Sequence, residues 1–386
     1  MTTLPTVDIA GIERELGQLW KENAAEAGGQ AVTRALTLNL VARANDSATA
    51  EAISEVVQGL TASHPNRTLL AILRPDEPEP RLDAFVQANC LLGTRGAPQV
   101  CGEQITIDAR GPAIAQVASL VLPLLVPDLP VVLWLPGPRP FADPLLARLR
   151  GVIDRLIVDS RSFADPAREL ATMASFDAPN QAEAGGRPSG PALSDLGWAE
   201  LTPWRELAAQ FFDARVLLPH LRRLDRVEID YVPAEGRANY AQGLLLAGWL
   251  AASLGWTPLE DAVSHEGDTL RLYLRRPAVN VGPSAIRLVT VEIRALPPDG
   301  RPPGLAALRL RALDGVTADF NVELGADEGM ALTTAQVAGM APVRRLARCE
   351  HLSDGELLAA ELRLLSRDRT FGAALRSAGV FAARLG

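Results

Sequence analysis

This 386-residue chain is almost without lysine: Lys21 is the only one, so nearly all positive charge is arginine. A P-loop needs a lysine after its glycines, and a Schiff-base enzyme needs one in a core pocket. Lys21 stands in the polar stretch WKENAAEAGG and fits neither class. Cysteine is nearly as scarce, with three residues and no C-x-x-C spacing, which argues against a disulfide scaffold and suits a reducing compartment. The four histidines, at 64, 220, 265 and 351, show no metal-ligand spacing. Net charge is −8 and no basic tract interrupts it, so the clustered footprint of a nucleic-acid-binding chain is missing.

Catalytic and cofactor signatures are missing as well. There is no G-x-S-x-G and no H-E-x-x-H; His265-Glu266 runs into Gly267-Asp268, a turn signal. Gly93, Gly96 and Gly102 do not make G-x-G-x-x-G, and no strand–turn–helix pattern surrounds them. The expectation is therefore no catalytic residue, no cofactor and no metal. Long uninterrupted apolar runs are also lacking. Pro123, Pro127, Asp128 and Pro130 break the stretch Val117–Leu135, and Tyr240–Leu254 is shorter than the ~20 residues a membrane helix requires. The N-terminus carries no basic-then-apolar signal pattern. These features lead us to expect a cytoplasmic protein without a membrane partner.

What is present is ample material for a core. Hydrophobic residues make up 48% and charged residues 22%, at a length that suits about two domains. After a helix carrying Ile9, Ile12, Leu16 and Leu19, a βα rhythm starts at Arg34. Strands are expected at Leu36–Val41, Thr68–Pro75, Val131–Leu135 and Arg155–Asp159. Helices are expected at Ala48–Ala62 and Pro112–Leu122, and a hairpin at Leu82–Leu92 and Gln99–Ala109. This reads as an α/β N-terminal domain with a mixed, largely parallel sheet over residues 1–177. Gly185, Gly186, Pro188, Gly190 and Pro191 mark a linker over 178–194. Residues 195–386 read as central helices and an α+β domain whose alternating segments, from TLRLYLRR onward, make an antiparallel sheet. Two helices close the chain, the first with a Ser353/Glu356 capping box.

The central stretch DLGWAELTPWRELAAQFFD has a helix with Thr202 as expected N-cap and Pro203 at the first helical position. Trp204, Leu207, Ala208, Phe211 and Phe212 form one apolar stripe, expected to dock the domains together. The second segment, ANYAQGLLLAGWLAASLGW with Trp249, is apolar nearly all round and reads as a buried helix. With SHPNR, CGEQITI, LLVPDLPVVLWLPG and DRLIVDS upstream, these segments resemble the OpcA family of glucose-6-phosphate dehydrogenase assembly proteins, from about Arg34 to about Trp256. The resemblance implies a non-catalytic partner that binds and activates glucose-6-phosphate dehydrogenase in the oxidative pentose phosphate pathway. An α/β enzyme or sensor for a sugar phosphate or nucleotide is the alternative, and a scaffold without a metabolic partner is a third class.

Candidate sites are few. On the C-terminal sheet Arg271, Tyr273 and Arg275 share a strand face, as do Arg309 and Arg311. Two readings stand: a solvated face balanced by Glu292, Asp319 and Glu323, or an arginine-rich contact surface for the partner. Arg67, in the loop His64-Pro65-Asn66-Arg67, is a candidate anion contact or a cation at a helix C-terminus. Glu103 and Gln104 are site residues or solvent-facing strand positions. Cys90 and Cys101 face each other across the expected hairpin, and we read them as small core residues rather than a redox pair.

Overall fold

The computed structural model describes residues 7–26, 32–34, 36–91, 99–181, 190–234, 238–277, 287–313, 315–325, 329–364 and 366–385. In chain order its first elements are α1 (Ile9–Glu26), β1 (Val32–Arg34), β2 (Leu38–Ala44), α2 (Ser47–Leu60), β3 (Asn66–Arg74), β4 (Arg81–Leu91) and β5 (Gln99–Arg110). There follow α3 (Val117–Leu124), β6 (Val131–Leu135), α4 (Pro144–Leu149), β7 (Arg155–Val158), α5 (Pro166–Gln181), β8 (Ala192–Asp195), α6 (Leu196–Glu200), α7 (Thr202–Gln210) and α8 (Leu218–Leu221). The remainder is β9 (Arg226–Val232), α9 (Ala241–Leu254), β10 (Thr257–Glu266), β11 (Thr269–Arg275), β12 (Leu288–Ala295), β13 (Gly304–Ala312), β14 (Ala318–Leu324), β15 (Met330–Val337) and β16 (Val343–Arg348). Helices α10 (Asp354–Leu362) and α11 (Arg369–Ala382) end it. The hairpin loop GTRGAP and the centre of the expected linker, 182–189, lie outside the described residues.

Two compact units interleave along the chain. One comprises 1–159, 187–194 and 353–366; the other 160–186, 195–352 and 367–386. The division thus runs differently from the single boundary expected at 178–194, because α5 joins the second unit and α10 returns to the first. Such exchanges depend on packing partners distant in sequence, which local composition does not encode.

The first unit is built on a sheet of order β1-β5-β3-β2-β6-β7-β8, with β4 antiparallel on β5. The pairs β1–β5, β5–β3, β3–β2, β2–β6 and β6–β7 are parallel. Its inner strands are buried nearly throughout, as VVLWL in β6 and RLIV in β7 show. Strands of a parallel sheet are covered on both faces, which is why these read as continuous apolar runs rather than alternations. One buried polar residue ties the sheet to a loop. Asn39 donates to the Val126 carbonyl (3.0 Å) and accepts from the Val126 N–H (2.8 Å).

The second unit carries a sheet of order β10-β11-β12-β9-β13-β14-β15-β16, antiparallel except for the β12–β9 pair. Leu270, Leu272, Leu274, Val289, Val291, Ile293, Leu308, Leu310, Phe320 and Val322 are buried on one face, as period-2 alternation requires. Helices α7 and α9 pack on this face, and α11 packs on α9. Helix α9 is apolar all round because sheet and helices surround it. A Cβ at Gly248 would lie 2.3 Å from the Ala374 carbonyl of α11, so the two helices approach at a distance only glycine allows. The capping box of α10 forms as expected: the Glu356 N–H donates to Ser353 Oγ, and the Ser353 N–H to Glu356.

Helix α7 differs from expectation at its start. Thr202 is its first residue and Leu201 the cap, with no side-chain capping bond. The Thr202 hydroxyl instead accepts from Arg205 (2.9 Å), whose guanidinium lies over the Trp198 ring.

Candidate interaction surface

The outer face of the second sheet carries an ion-pair lattice rather than a row of free arginines. It begins with a conflict in the sequence. Strand pairing sets Glu228 of β9 directly beside Glu292 of β12, and Asp230 lies two residues further along the same face. All three carboxylates are buried, at 7%, 8% and 3% exposure. Buried like charges side by side destabilise unless cations are interleaved. Five arginines meet this need. Arg226 and Arg271 reach Glu292 at 3.3 and 3.1 Å. Arg311 and Arg294 reach Glu228 at 3.1 Å each. Arg294 also holds Asp230 at 2.8 Å, and Arg309 bridges Asp230 and Glu323. Arg311 continues to Asp319 at 3.1 Å and Arg271 to Glu266. Hydrogen bonds to Asp230 raise the pKa of Arg294. For Arg309, burial pulls the value down and the bonds to Asp230 and Glu323 outweigh it.

Of the five expected contact residues, the structure thus joins Arg271, Arg309 and Arg311 in one network. Tyr273 lies half-buried on the same strand face and Arg275 exposed at its end. Sequence reasoning missed Glu228 and Asp230, the anchors of the lattice. Their signal was the strand VEIDY, whose carboxylates alternate with apolar residues.

Arg67 is corrected. It is 4% exposed, donates to Glu103 (2.8 Å), Glu13 (2.7 Å) and the Leu124 carbonyl (2.9 Å), and is not placed to receive an anion. Glu103 and Gln104 are buried on opposite faces of β5, the first also accepting from Trp20 (2.6 Å), the second donating to Ser54 (2.8 Å). Cys101 is corrected too: it is disulfide-bonded, and the register sets Cys90 opposite it. Trp204 and Phe211 serve the second unit's own core. Trp204 is buried, and Phe211 and Phe212 lie 5.4 and 4.9 Å from Phe320. Trp249 is half-buried on α9.

A small cleft of the second unit holds another polar cluster. Glu200 accepts from Gln242 (2.8 Å) and meets His351 Nδ1 at 2.6 Å, with Cys349, Trp204, Pro302 and Leu305 around them. Burial, reinforced by Glu200, pushes the Cys349 thiol up to about 11. At about 50 Å³ the cleft holds little more than a water, far from the ~300 Å³ or more of a small-molecule site. Among the described residues no group of three or more His, Cys, Asp or Glu is placed to hold a metal ion.

Residues 57–175 match the family model described as the glucose-6-phosphate dehydrogenase subunit N-terminal domain, and 191–375 the corresponding C-terminal domain. Curated relatives include a provisionally named OxPP cycle protein OpcA from Synechocystis sp., 30% identical over 53% of this chain and 40% of that protein. One from Nostoc punctiforme is 33% identical over 46% and 35%, and one from Synechococcus elongatus 29% over 60% and 47%. The matched region spans less than half the length of these relatives. Solved structures with distant likeness include the 3-ketoreductase KijD10 of Actinomadura kijaniata (9% identity, 89% of this chain and 95% of that one, TM-score 0.44). The WlbA dehydrogenase of Thermus thermophilus is similar to the same degree (11%, 89% and 94%, 0.43). With both family domains matched, in order and over most of its length, the chain belongs to the OpcA family.

Proposed function

We propose that this chain is a non-catalytic partner of glucose-6-phosphate dehydrogenase that binds the enzyme and favours its active or assembled state. The observation that carries this reading is the pair of matched domains, each described as part of a glucose-6-phosphate dehydrogenase subunit. The second unit supports it by presenting a broad sheet face whose arginines keep 22–41% side-chain exposure, so solvent meets it. A ligand shifts an equilibrium between enzyme states only by its difference in affinity for them, and a tenfold shift takes about 1.4 kcal/mol. Reciprocity then requires that substrate favouring the same state tighten the complex.

The test is a titration of this chain against a fixed amount of cognate dehydrogenase, following NADPH formation, with mass measurement in parallel. The expected result is a complex and a higher rate at low substrate, and no turnover of glucose 6-phosphate by this chain alone. Absence of both complex and rate change would sink the reading.

A further inference from the structure

The second sheet ends in two edge strands that are managed differently. At one end, β10 carries a register break between Pro258 and Val263, packs against α11, and offers its Leu259 carbonyl to Arg384. Bulges and coverage are the usual means of blunting an edge. At the other end, β16 pairs with β15 without a break, and no described strand pairs with its far side. Its side chains are exposed on both faces, Leu346 at 67%, with Val343 and the preceding Met340 also exposed.

The direction of its backbone groups follows from one bond. The Cys349 N–H donates to the Gly329 carbonyl (2.8 Å), toward β15, and the Thr333 hydroxyl donates to the Arg345 carbonyl (3.2 Å). Alternation then aims the N–H and C=O groups of 343, 345 and 347 at β15, and those of Arg344, Leu346 and Arg348 at the open edge. Three of the six residues of β16 are arginine. Among the described residues Arg348 pairs with Glu350 at 3.6 Å, both side chains exposed, a contact of little strength. The arginines of the lattice, by contrast, are tied to buried carboxylates.

We propose that β16 is a strand-addition site, taking an extended acidic segment of the dehydrogenase as a ninth strand of the sheet; this rests on the association proposed above. Backbone groups of Arg344, Leu346 and Arg348 supply the ladder, and side chains supply selectivity. Residues opposite Arg344 and Arg348 are acidic and the one between them apolar, packing on Leu346 beside Leu332, its cross-strand partner. On the other face an acidic residue lies opposite Arg345. Arginine, with its planar fork, suits such carboxylate pairing.

The experiment compares the full chain with two variants for binding to the cognate dehydrogenase. Leu346→Pro removes an outward donor while leaving the ladder to β15 intact, because that N–H faces the open edge. The second variant combines Arg344→Glu, Arg345→Glu and Arg348→Glu, which touches no backbone group and no core residue. Both are expected to keep the parent's melting temperature and to bind about tenfold more weakly or worse, with the parent complex loosening as salt rises. A parent complex retained by the charge-reversed variant overturns the edge site and leaves the association standing. No parent complex overturns both. A parent that self-associates while the variants stay monomeric, all binding the dehydrogenase equally, assigns the edge to a second copy and overturns the partner named here.

Discussion

Asp195 holds Ser160 through both carboxylate oxygens: Oδ1 accepts the Ser160 N–H at 2.8 Å and Oδ2 its hydroxyl at 2.7 Å. The same carboxylate accepts the Gly197 and Trp198 N–H groups at 3.1 Å each, capping α6. It is fully buried, and all four donors are spent on it. Asp195→Ala should therefore cost about 3 kcal/mol or more, as a lost cap together with buried unpaired donors. Gly197→Ala should destabilise too, since its Cβ would lie 2.2 Å from Ser160 Oγ. Denaturant midpoints check both, and unchanged midpoints would show the site to be incidental.

Arg67 makes a parallel case in the first unit. Burial alone would lower its pKa, yet Glu103 and Glu13 raise it above the ordinary value. Arg67→Ala strands Glu103 without its cation and should cost about 3–5 kcal/mol. Arg67→Lys should recover only part, because one ammonium cannot reproduce the fork to Glu103, Glu13 and the Leu124 carbonyl. Equal stability of the alanine variant would refute this account.

Trp204→Ala should cost about 3–5 kcal/mol, the usual range for a buried aromatic. Phe211→Ala should cost less, since Phe211 is only half-buried against Phe320. Thermal melts of the two variants give the order directly.

Cys349 should resist alkylation in the native protein at pH 8, because burial holds its thiol at about 11 and the thiolate is the reactive form. Unfolding in denaturant should release ordinary reactivity. Fast native labelling at Cys349, read by mass spectrometry, would contradict its burial.

Stability should fall as the solution is acidified below about pH 6.5, the ordinary histidine value. Burial, then nearby Arg223, lowers the pKa of His220; burial, then Arg363, lowers that of His64. A lowered native pKa means the unfolded chain takes up the proton first. The stability contributed is thus complete above 6.5 and lost as pH falls through the native values. Urea midpoints at pH 7.5 and 5.5 should differ less in His220→Gln than in the parent.

Periodicity alone determined much of this protein. The alternation in TLRLYLRR and VEIDY makes half-buried strands, the unbroken VVLWL makes a strand buried on both faces, and Ser353 with Glu356 starts a helix wherever it stands. Those signals are local: each needs only the residues within one turn or one pleat. What tertiary structure alone decided is which distant groups meet. Glu228 lies beside Glu292 because β9 and β12 pair in parallel at one register, and a slip of one residue would have put the two on opposite faces of the sheet. Arg67 became a buried ion-pair centre because Glu103 sits in β5, directly beside it in register. The open edge at β16 exists for the same reason: a strand becomes an edge through the order of its neighbours, and no residue in VRRLAR states that order.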